Sequence, residues 1–516
     1  MERSDQLPLG LASVPLAPVV MVLGTGSSVG KSTLVAGLCR LLARHGVHVA
    51  PFKAQNMSNN AAVCRDGGEI GRAQYAQAIA AGIDATVDMN PILLKPQPTG
   101  SQVIVRGHAI GVQSAADYFG QDRRGTDLWP VVVASLERLR RDYDVVVAEG
   151  AGSPAEINLR SRDLVNMRVA LHARADVLVV ADIDRGGAFA ALLGTWEWLQ
   201  PEERALLRGF ILNKFRGDLT LLAPAPALLQ ERTGVPVIGV VPYLEDVALP
   251  EEDAASLSEH AVASPTVEIA IVRLPHVANF DEFGPLAAEP GVHVRYVTRP
   301  EELRAPDLVI LPGTKATIPD LGWLDARGLS RRIQWLVAHD TPLLGVCGGY
   351  QMLGRRVRDP LCLESTQLVM EGLGLFGFET VLGPEKRLAR TEGTVAPGLP
   401  GIWGALGGAQ VEGYEIHAGR TDPSAARPLL QLGPYTDGAV SADARVAGTY
   451  LHGIFEQREP RHRLLQALAG RRGFDWSPAT RPAADAYDRL ADTLEASLQL
   501  NVIESLATTK ENSSGT

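Results

Sequence analysis

Val19-Val20-Met21-Val22-Leu23-Gly24-Thr25-Gly26-Ser27-Ser28-Val29-Gly30-Lys31-Ser32 decides the fold of the first half of the chain. Its five opening residues are apolar and mostly β-branched, the composition of a buried strand. A glycine-rich loop follows, then a helix predicted from Ser32 to His45 with Leu34, Leu38, Leu41 and Leu42 on one face. A loop between a strand and a helix N-terminus aims several backbone N–H groups at one point, and the helix dipole adds positive potential there. That is a cradle for phosphate. Gly24, Thr25, Gly26, Val29 and Gly30 would line it, Lys31 would reach the terminal phosphates of ATP, and Ser32 would ligate Mg²⁺. The spacing is one residue longer than the strict phosphate-loop pattern, because five residues separate Gly24 from Gly30.

Working outward, further strands are predicted at Val47–Phe52, Val145–Ala148, Val177–Ala181, Gly209–Asn213 and Val237–Val241, alternating with helical stretches. This alternation is the mark of a parallel sheet flanked by helices. Ligands of such sheets collect at the carboxyl ends of the strands. Glu149, Asp182 and Asp184 stand at those ends, so Glu149 and Asp182 are candidate Mg²⁺ partners beside Ser32. Asn213, followed by Lys214, is a candidate contact for adenine or its ribose. The polar, acidic stretch 251–265 reads as a linker. A second alternating series then begins with Glu268–Leu274, His293–Tyr296, Leu308–Leu311 and Leu343–Val346, and about 370–455 reads as a more antiparallel region. The expected fold is α/β throughout, in two units joined near residue 260.

The second unit carries its own chemical signal. Leu343-Leu344-Gly345-Val346-Cys347-Gly348-Gly349-Tyr350-Gln351 reads as strand, tight turn and helix, with glycines on both sides of the cysteine. Small residues permit a strained turn that exposes a nucleophile beside a helix N-terminus, where a thiolate is favoured. Cys39, Cys64 and Cys362 lack that setting and read as buried structural cysteines. A thiolate that attacks an amide needs a proton shuttle. His452, in Thr449-Tyr450-Leu451-His452-Gly453, is the preferred candidate and His417 the alternative. Gly313, at another strand end, and Gly348 would supply backbone N–H groups to an oxyanion hole.

Composition narrows the function classes. A chain of 516 residues is too long for one hydrophobic core, and 46% hydrophobic with 21% charged residues is ordinary for a soluble enzyme. The formal net charge of −10 argues against a nucleic-acid-binding surface, which needs Lys and Arg to neutralise phosphates. Four cysteines without a CxxC pair argue for a reducing, cytoplasmic setting. Residues 7–23 are apolar but contain three prolines, so neither a signal peptide nor a membrane span is expected.

Residues 345–351 match the signature Gly-x-Cys-x-Gly-x-Gln, and this half resembles class I glutamine amidotransferases. The first half resembles the ATP-dependent synthetases related to dethiobiotin synthetase, through its lengthened loop ending in Val29-Gly30-Lys31 and through Glu149-Gly150-Ala151-Gly152. Several segments make the likeness narrower: Pro51–Asn60, Gly71-Arg72-Ala73-Gln74, Met89–Pro96, Asn158-Leu159, Asp163–Met167 and Gly413–His417. With both halves in this order, the chain resembles the glutamine-hydrolysing cobyric acid synthase family from about residue 19 to about 470.

The resemblance implies that a glutaminase site frees ammonia and a synthetase site spends ATP to amidate a corrinoid. The substrate implied is adenosylcobyrinic acid a,c-diamide, amidated at its b, d, e and g side chains. The amide-rich stretch from Gln55 to Asn60 suits a macrocycle edged with carboxylates and carboxamides, which makes Lys53, Gln55, Asn56 and Asn59 candidate substrate residues. Four segments are expected: an N-terminal extension at 1–18, a synthetase domain at 19–255, an amidotransferase domain at 266–470 and a C-terminal helical region with a frayed tail at 471–516. Many class I amidotransferases carry a Glu two positions after the histidine. Here Ile454 stands there, which leaves Glu456, two residues further on, or no third member at all. The alternatives are the related a,c-diamide synthases and a P-loop ATPase switch; the second leaves Cys347 and His452 without a role. The partners implied are small molecules, and whether the chain forms a homo-oligomer is left open.

Overall fold

The computed structural model describes residues 15–119, 127–244, 264–423, 426–479 and 485–499. Most of the predicted linker, the start of the N-terminal extension and the predicted frayed tail lie outside the described residues.

Six strands build the first sheet: Val19–Gly24 (β1), Val49–Phe52 (β2), Val145–Glu149 (β3), Asp176–Asp182 (β4), Leu207–Phe215 (β5) and Val237–Pro242 (β6). Their order is β6-β5-β4-β1-β3-β2 and every neighbouring pair is parallel. The central strand β1 is entirely buried, which is why it reads as an unbroken apolar run. Neither sheet neighbour of β1 adjoins it in sequence, so the loop after β1 emerges between the ends of β3 and β4. That topology brings Glu149 and Asp182 to the two sides of the phosphate loop. The helix Lys31–Arg44 (α1) buries Leu34, Leu38 and Leu42 against the sheet, and Leu41 is buried as well. Each such leucine contributes on the order of 2 kcal/mol of transfer free energy.

Between β2 and β3 the chain makes an excursion for which no strands are expected. Gln55–Met57, Ile92–Gln97, Gly100–Val105 and His108–Gln113 form a four-stranded sheet, accompanied by the helix Arg72–Ala81 (α2). Its first strand is three polar or sulfur-bearing residues, and its outer strand is largely exposed. Neither shows the apolar alternation by which a strand is recognised.

The second unit contains Val267–Val272 (β7), Val292–Val297 (β8), Leu308–Leu311 (β9), Leu343–Val346 (β10), Glu379–Val395 (β11), Gln410–Thr421 (β12), Ala439–Val440 (β13) and Val446–Thr449 (β14). Its main sheet runs β8-β7-β9-β10-β14-β13, parallel except for the edge strand β13. The short helix Gly348–Met352 (α3) leaves β10. The long ladder of β11 with β12 is antiparallel and lies in a separate sheet.

Two joints bind the units. Ala61, Val63, Leu93 and Ile104 from the excursion form one apolar cluster with Tyr414 and Ile416 of β12. Beside it Glu69 sits between two lysines: Lys95 Nζ donates to Oε1 at 2.8 Å, and Lys386 of β11 pairs with the other oxygen. At the far side the helix Ala486–Ser497 (α4) returns to the first unit. Arg40 donates to both carboxylate oxygens of Asp488, at 2.7 and 3.0 Å, and Gly37 lets Leu490 and Leu494 close against α1.

Burial pushes the Glu69 carboxyl upward, but Lys386 and Lys95 outweigh it and hold the group down to about 2. A carboxyl whose folded value is depressed adds stability above its unfolded range, and loses it as pH falls through the folded value. The contribution of Glu69 is therefore expected to fade between about pH 4.5 and 2. Glu69→Ala leaves Lys95 and Lys386 facing each other without their shared anion. The expected loss is roughly 3–5 kcal/mol, read as a lower unfolding midpoint in denaturant.

Candidate active sites

The phosphate loop is shaped before any ligand arrives. Gly30 adopts φ 97°, and a Cβ there would lie 2.1 Å from Asn213 Nδ2, so only glycine fits. Asn213 Nδ2 donates to the Val29 carbonyl at 2.8 Å. The amide thus braces the loop from below. Thr25 N donates to Val180 O, tying the start of the loop to β4. Lys31 folds its ammonium over the loop, donating to Gly26 O at 2.8 Å and to Gly152 O at 3.2 Å.

Glu149 collects three donors: Ser32 Oγ at 2.8 Å, Lys53 Nζ at 2.9 Å and Gln77 Nε2 at 2.6 Å. Burial raises this carboxyl, yet Lys53 and the other donors prevail and its pKa is lowered. Asp182, on the other flank of the loop, accepts from Lys214 Nζ at 3.0 Å and from the backbone of Asp184, and lies 3.4 Å from Arg185. Among the described residues no cluster of three His, Cys, Asp or Glu forms a ready metal cage.

The amide-rich stretch divides in two. Lys53 and Asn56 are buried: Lys53 points at Glu149, and Asn56 Nδ2 donates to Gln74 Oε1 at 3.0 Å. Gln55 and Asn59 are only partly buried, and Gln55 Oε1 accepts from Tyr118 Oη at 2.5 Å. Lys53 and Asn56 therefore turn inward, and Gln55 and Asn59 are the partly exposed members of the stretch, the Asn59 Oδ1 atom being itself buried.

The cysteine turn is strained as its glycines suggest. Cys347 has φ 52° and ψ −108°, a conformation that costs on the order of 1–3 kcal/mol and persists only where neighbours enforce it. Its N–H donates to Thr449 O at 2.8 Å and its carbonyl accepts from Gln351 N at 3.0 Å. Behind it, a Cβ on Gly349 would fall 2.0 Å from Leu311 O, so the helix can approach β9 this closely only with glycine. The thiol is buried, with Sγ 3.5 Å from Ile416 O. Gly348 opens α3, so its N–H has no acceptor within the helix. It packs against Thr314, and Gly313 packs against the ring of His452. Asp320 holds this strand end in place, accepting from Thr314 Oγ1 and lying 2.6 Å from His276 Nδ1.

His452 neighbours Cys347 closely enough for the sulfur to raise its pKa. Its Nδ1 is 2.8 Å from Glu282 Oε1, while Glu282 Oε2 accepts the Gly453 N–H at 2.9 Å. Both side chains are about 1% exposed. Burial opposes a charged imidazole, but the Glu282 carboxylate and the Cys347 sulfur outweigh it, and the His452 pKa is raised to about 10. His417, the alternative, instead stacks on Tyr450 with ring centroids 3.8 Å apart and bonds Gly419 O through Nδ1.

One alternative left open by the sequence is decided by His452's partner, and one reading, the burial of Cys362, needs correction. Glu456 does not orient His452; it pairs with Arg72 at 2.5 Å, because its loop turns away after Gly453. Glu282 takes that place from 170 positions upstream. The one signal in the sequence is an acidic pair, Asp281-Glu282, enclosed by Phe280 and Phe283, which reads as carboxylates inside a core. Cys362 is exposed, since Asp359 accepts the backbone N–H of Leu363 and Glu364 and curls that loop outward.

Fold and sites together define a glutamine amidotransferase joined to a P-loop nucleotide-binding domain. Residues 268–460 match the CobB/CobQ-like glutamine amidotransferase domain, and residues 20–257 match the CobQ/CobB/MinD/ParA nucleotide binding domain. The chain is 49% identical to a cobyric acid synthase of Chloroflexus aggregans, over 95% of its own length and 99% of the relative's. A cobyric acid synthase of Desulforudis audaxviator is also 49% identical, over 93% of this chain and 97% of the other. One from Sorangium cellulosum is 48% identical, over 95% and 98%. The chain belongs to the cobyric acid synthase family.

Glu282→Gln removes the anion that keeps His452 charged. Because that anion raises the pKa, its loss lowers it, so the alkaline limb of glutamine hydrolysis is expected to move below pH 10. The turnover number should fall on the order of a hundredfold. A pH–rate profile of glutamate release measures both.

Proposed function

We propose that the chain converts carboxylates of a corrinoid to carboxamides, with glutamine as nitrogen donor and ATP as the source of activation. The acceptor is adenosylcobyrinic acid a,c-diamide, amidated at b, d, e and g to give adenosylcobyric acid. The observation that carries this reading is the buried Cys347–His452–Glu282 arrangement in one chain with a phosphate loop, in a family whose named members are cobyric acid synthases.

Cys347 attacks the side-chain amide of glutamine as a thiolate. The N–H groups of Gly348 and Gly313 receive the oxyanion. His452, charged through Glu282, protonates the departing ammonia, and water then hydrolyses the thioester to glutamate. Ammonia passes between the domains, since release into water would protonate it and end its nucleophilicity.

In the synthetase domain Lys31 and the loop N–H groups hold the phosphates of ATP. A cleft of about 780 Å³ beyond Lys214, lined by Phe215, Leu219, Pro224, Val240 and Pro242, offers apolar walls for the flat faces of adenine. The Ser32 hydroxyl and the Glu149 carboxylate are hard oxygen donors 2.8 Å apart, which fits Mg²⁺, with Asp182 across the loop. When bound, that ion would offset phosphate charge during transfer to the corrinoid carboxylate. Ammonia displaces phosphate from the resulting acyl phosphate. Gln55 and Asn59 face the acceptor. The same reading assigns the reaction to a reducing cytoplasm, which four free cysteines support. No helix among the described residues is long and apolar enough to cross a membrane.

Mass spectrometry of the corrinoid after reaction with ATP and glutamine tests the substrate: four carboxylates converted is expected, and conversion at a and c alone indicates the a,c-diamide synthase activity instead. Cys347→Ala should abolish amidation from glutamine and keep amidation from ammonium chloride; loss of both in a folded variant refutes the two-site scheme. Lys31→Ala should depress turnover with either nitrogen donor, measured as phosphate release.

A further inference from the structure

Gly71-Arg72-Ala73-Gln74 stands out in the sequence, and neither site above uses its arginine. Arg72 opens α2 in the synthetase unit, yet its side chain is buried in the amidotransferase unit. Nε lies 2.6 Å from Asp281 Oδ2, and an Nη atom donates to Glu456 Oε1 at 2.5 Å. The guanidinium also lies 6.0 Å from the ring centroid of Tyr414.

All three contacts lead to the histidine. Asp281 directly precedes Glu282, which bonds His452. Glu456 closes the turn that follows His452, its N–H donating to Gly453 O at 2.9 Å. Tyr414 exchanges two backbone hydrogen bonds with His452, at 3.1 and 2.9 Å, and its ring lies nearly parallel to the imidazole. One cation from the other domain thus holds the segment before Glu282 and the segment after His452 at a common point. A second link runs beside it: Ala61 N donates to Asn279 Oδ1 at 2.9 Å, and Arg72 N donates to Asn60 O at 3.1 Å. The backbone of the amide-rich loop is therefore tied to the same turn that carries Glu282.

We propose that Arg72 is a positioning residue for glutamine hydrolysis, supplied to the glutaminase site by the synthetase domain. It acts through Asp281 and Glu456, and touches neither glutamine nor the reacting atoms. Asp281 and Glu282 are adjacent and both buried, and Arg72 is the cation placed between Asp281 and Glu456. A guanidinium suits the task because one delocalised cation donates a hydrogen bond to Glu456 and pairs by charge with Asp281 at the same time. Without it, Asp281 is left as a buried anion beside Glu282, and the turn relaxes away from the geometry that aims the carboxylate at His452. The inference rests on the Cys347–His452–Glu282 reading above.

The test uses the full chain with Arg72→Ala and Arg72→Lys, assayed for glutamate release and for amidation from ammonium chloride. For Arg72→Ala the glutamine turnover number should fall roughly tenfold to a hundredfold with KM for glutamine little changed. Amidation from ammonium chloride should persist, and Arg72→Lys should regain part of the loss because it keeps the charge but not the fork. Unchanged glutamine turnover overturns the proposal. So does an equal loss with both nitrogen donors, or a lysine variant no better than alanine. Cys347→Ala, run alongside, separates the two layers: if it still releases glutamate, the cysteine assignment has failed, whatever Arg72 does.

Discussion

A buried imidazole and a buried carboxylate 2.8 Å apart are the contact around which the second half of the molecule is arranged. Neither charge is tolerable alone in a dry interior, and each is made so by the other. Glu282 spends its second oxygen on the Gly453 N–H, which fixes the carboxylate relative to the strand end that carries His452. The consequence is chemical. In the proposed mechanism, an imidazole held charged to about pH 10 is the proton donor to departing ammonia. The strained turn at Cys347 and the close packing of Gly349 on β9 then present the sulfur to that ring.

The synthetase half follows a parallel logic with different groups. Glu149 is almost fully buried and is kept ionised by Lys53, Gln77 and Ser32, so the corner under the phosphate loop is prepaid in electrostatic terms before nucleotide enters. Asn213 holds the loop open by bonding Val29 O, and Gly30 makes room for that amide. Both halves thus place a buried carboxylate under a glycine-rich turn.

The halves are not independent. The excursion between β2 and β3 carries the amide-rich loop, and the same excursion supplies Arg72, Ala61 and Glu69 to the joint. The amide-rich loop proposed to face the acceptor and the domain contact therefore belong to one insert, whose backbone reaches the turn before Glu282. The C-terminal helix α4 closes the opposite side by packing on α1, the helix that begins at Lys31.

Local pattern made much of this legible. Val19–Leu23 and the loop behind it announce a parallel sheet and a phosphate site, because strand burial and loop glycines leave their marks in consecutive residues. Cys347 among its glycines, and His452 at a strand end, are legible for the same reason. The four-stranded excursion is not, since its first strand is short and polar and its outer strand is exposed, so neither carries an apolar periodicity. The inward turn of Lys53 and Asn56, and the bracing role of Asn213, depend on partners 18 to 184 positions away.

What the sequence by itself determined is the pair of chemistries, a phosphate cradle and a cysteine elbow, because each is specified by a dozen contiguous residues. What only the tertiary structure decided is which groups tune them. Glu282 and not Glu456 faces His452, and Arg72 crosses to the other domain, because a buried charge takes its partner from whatever folding brings within about 3 Å, at any distance along the chain.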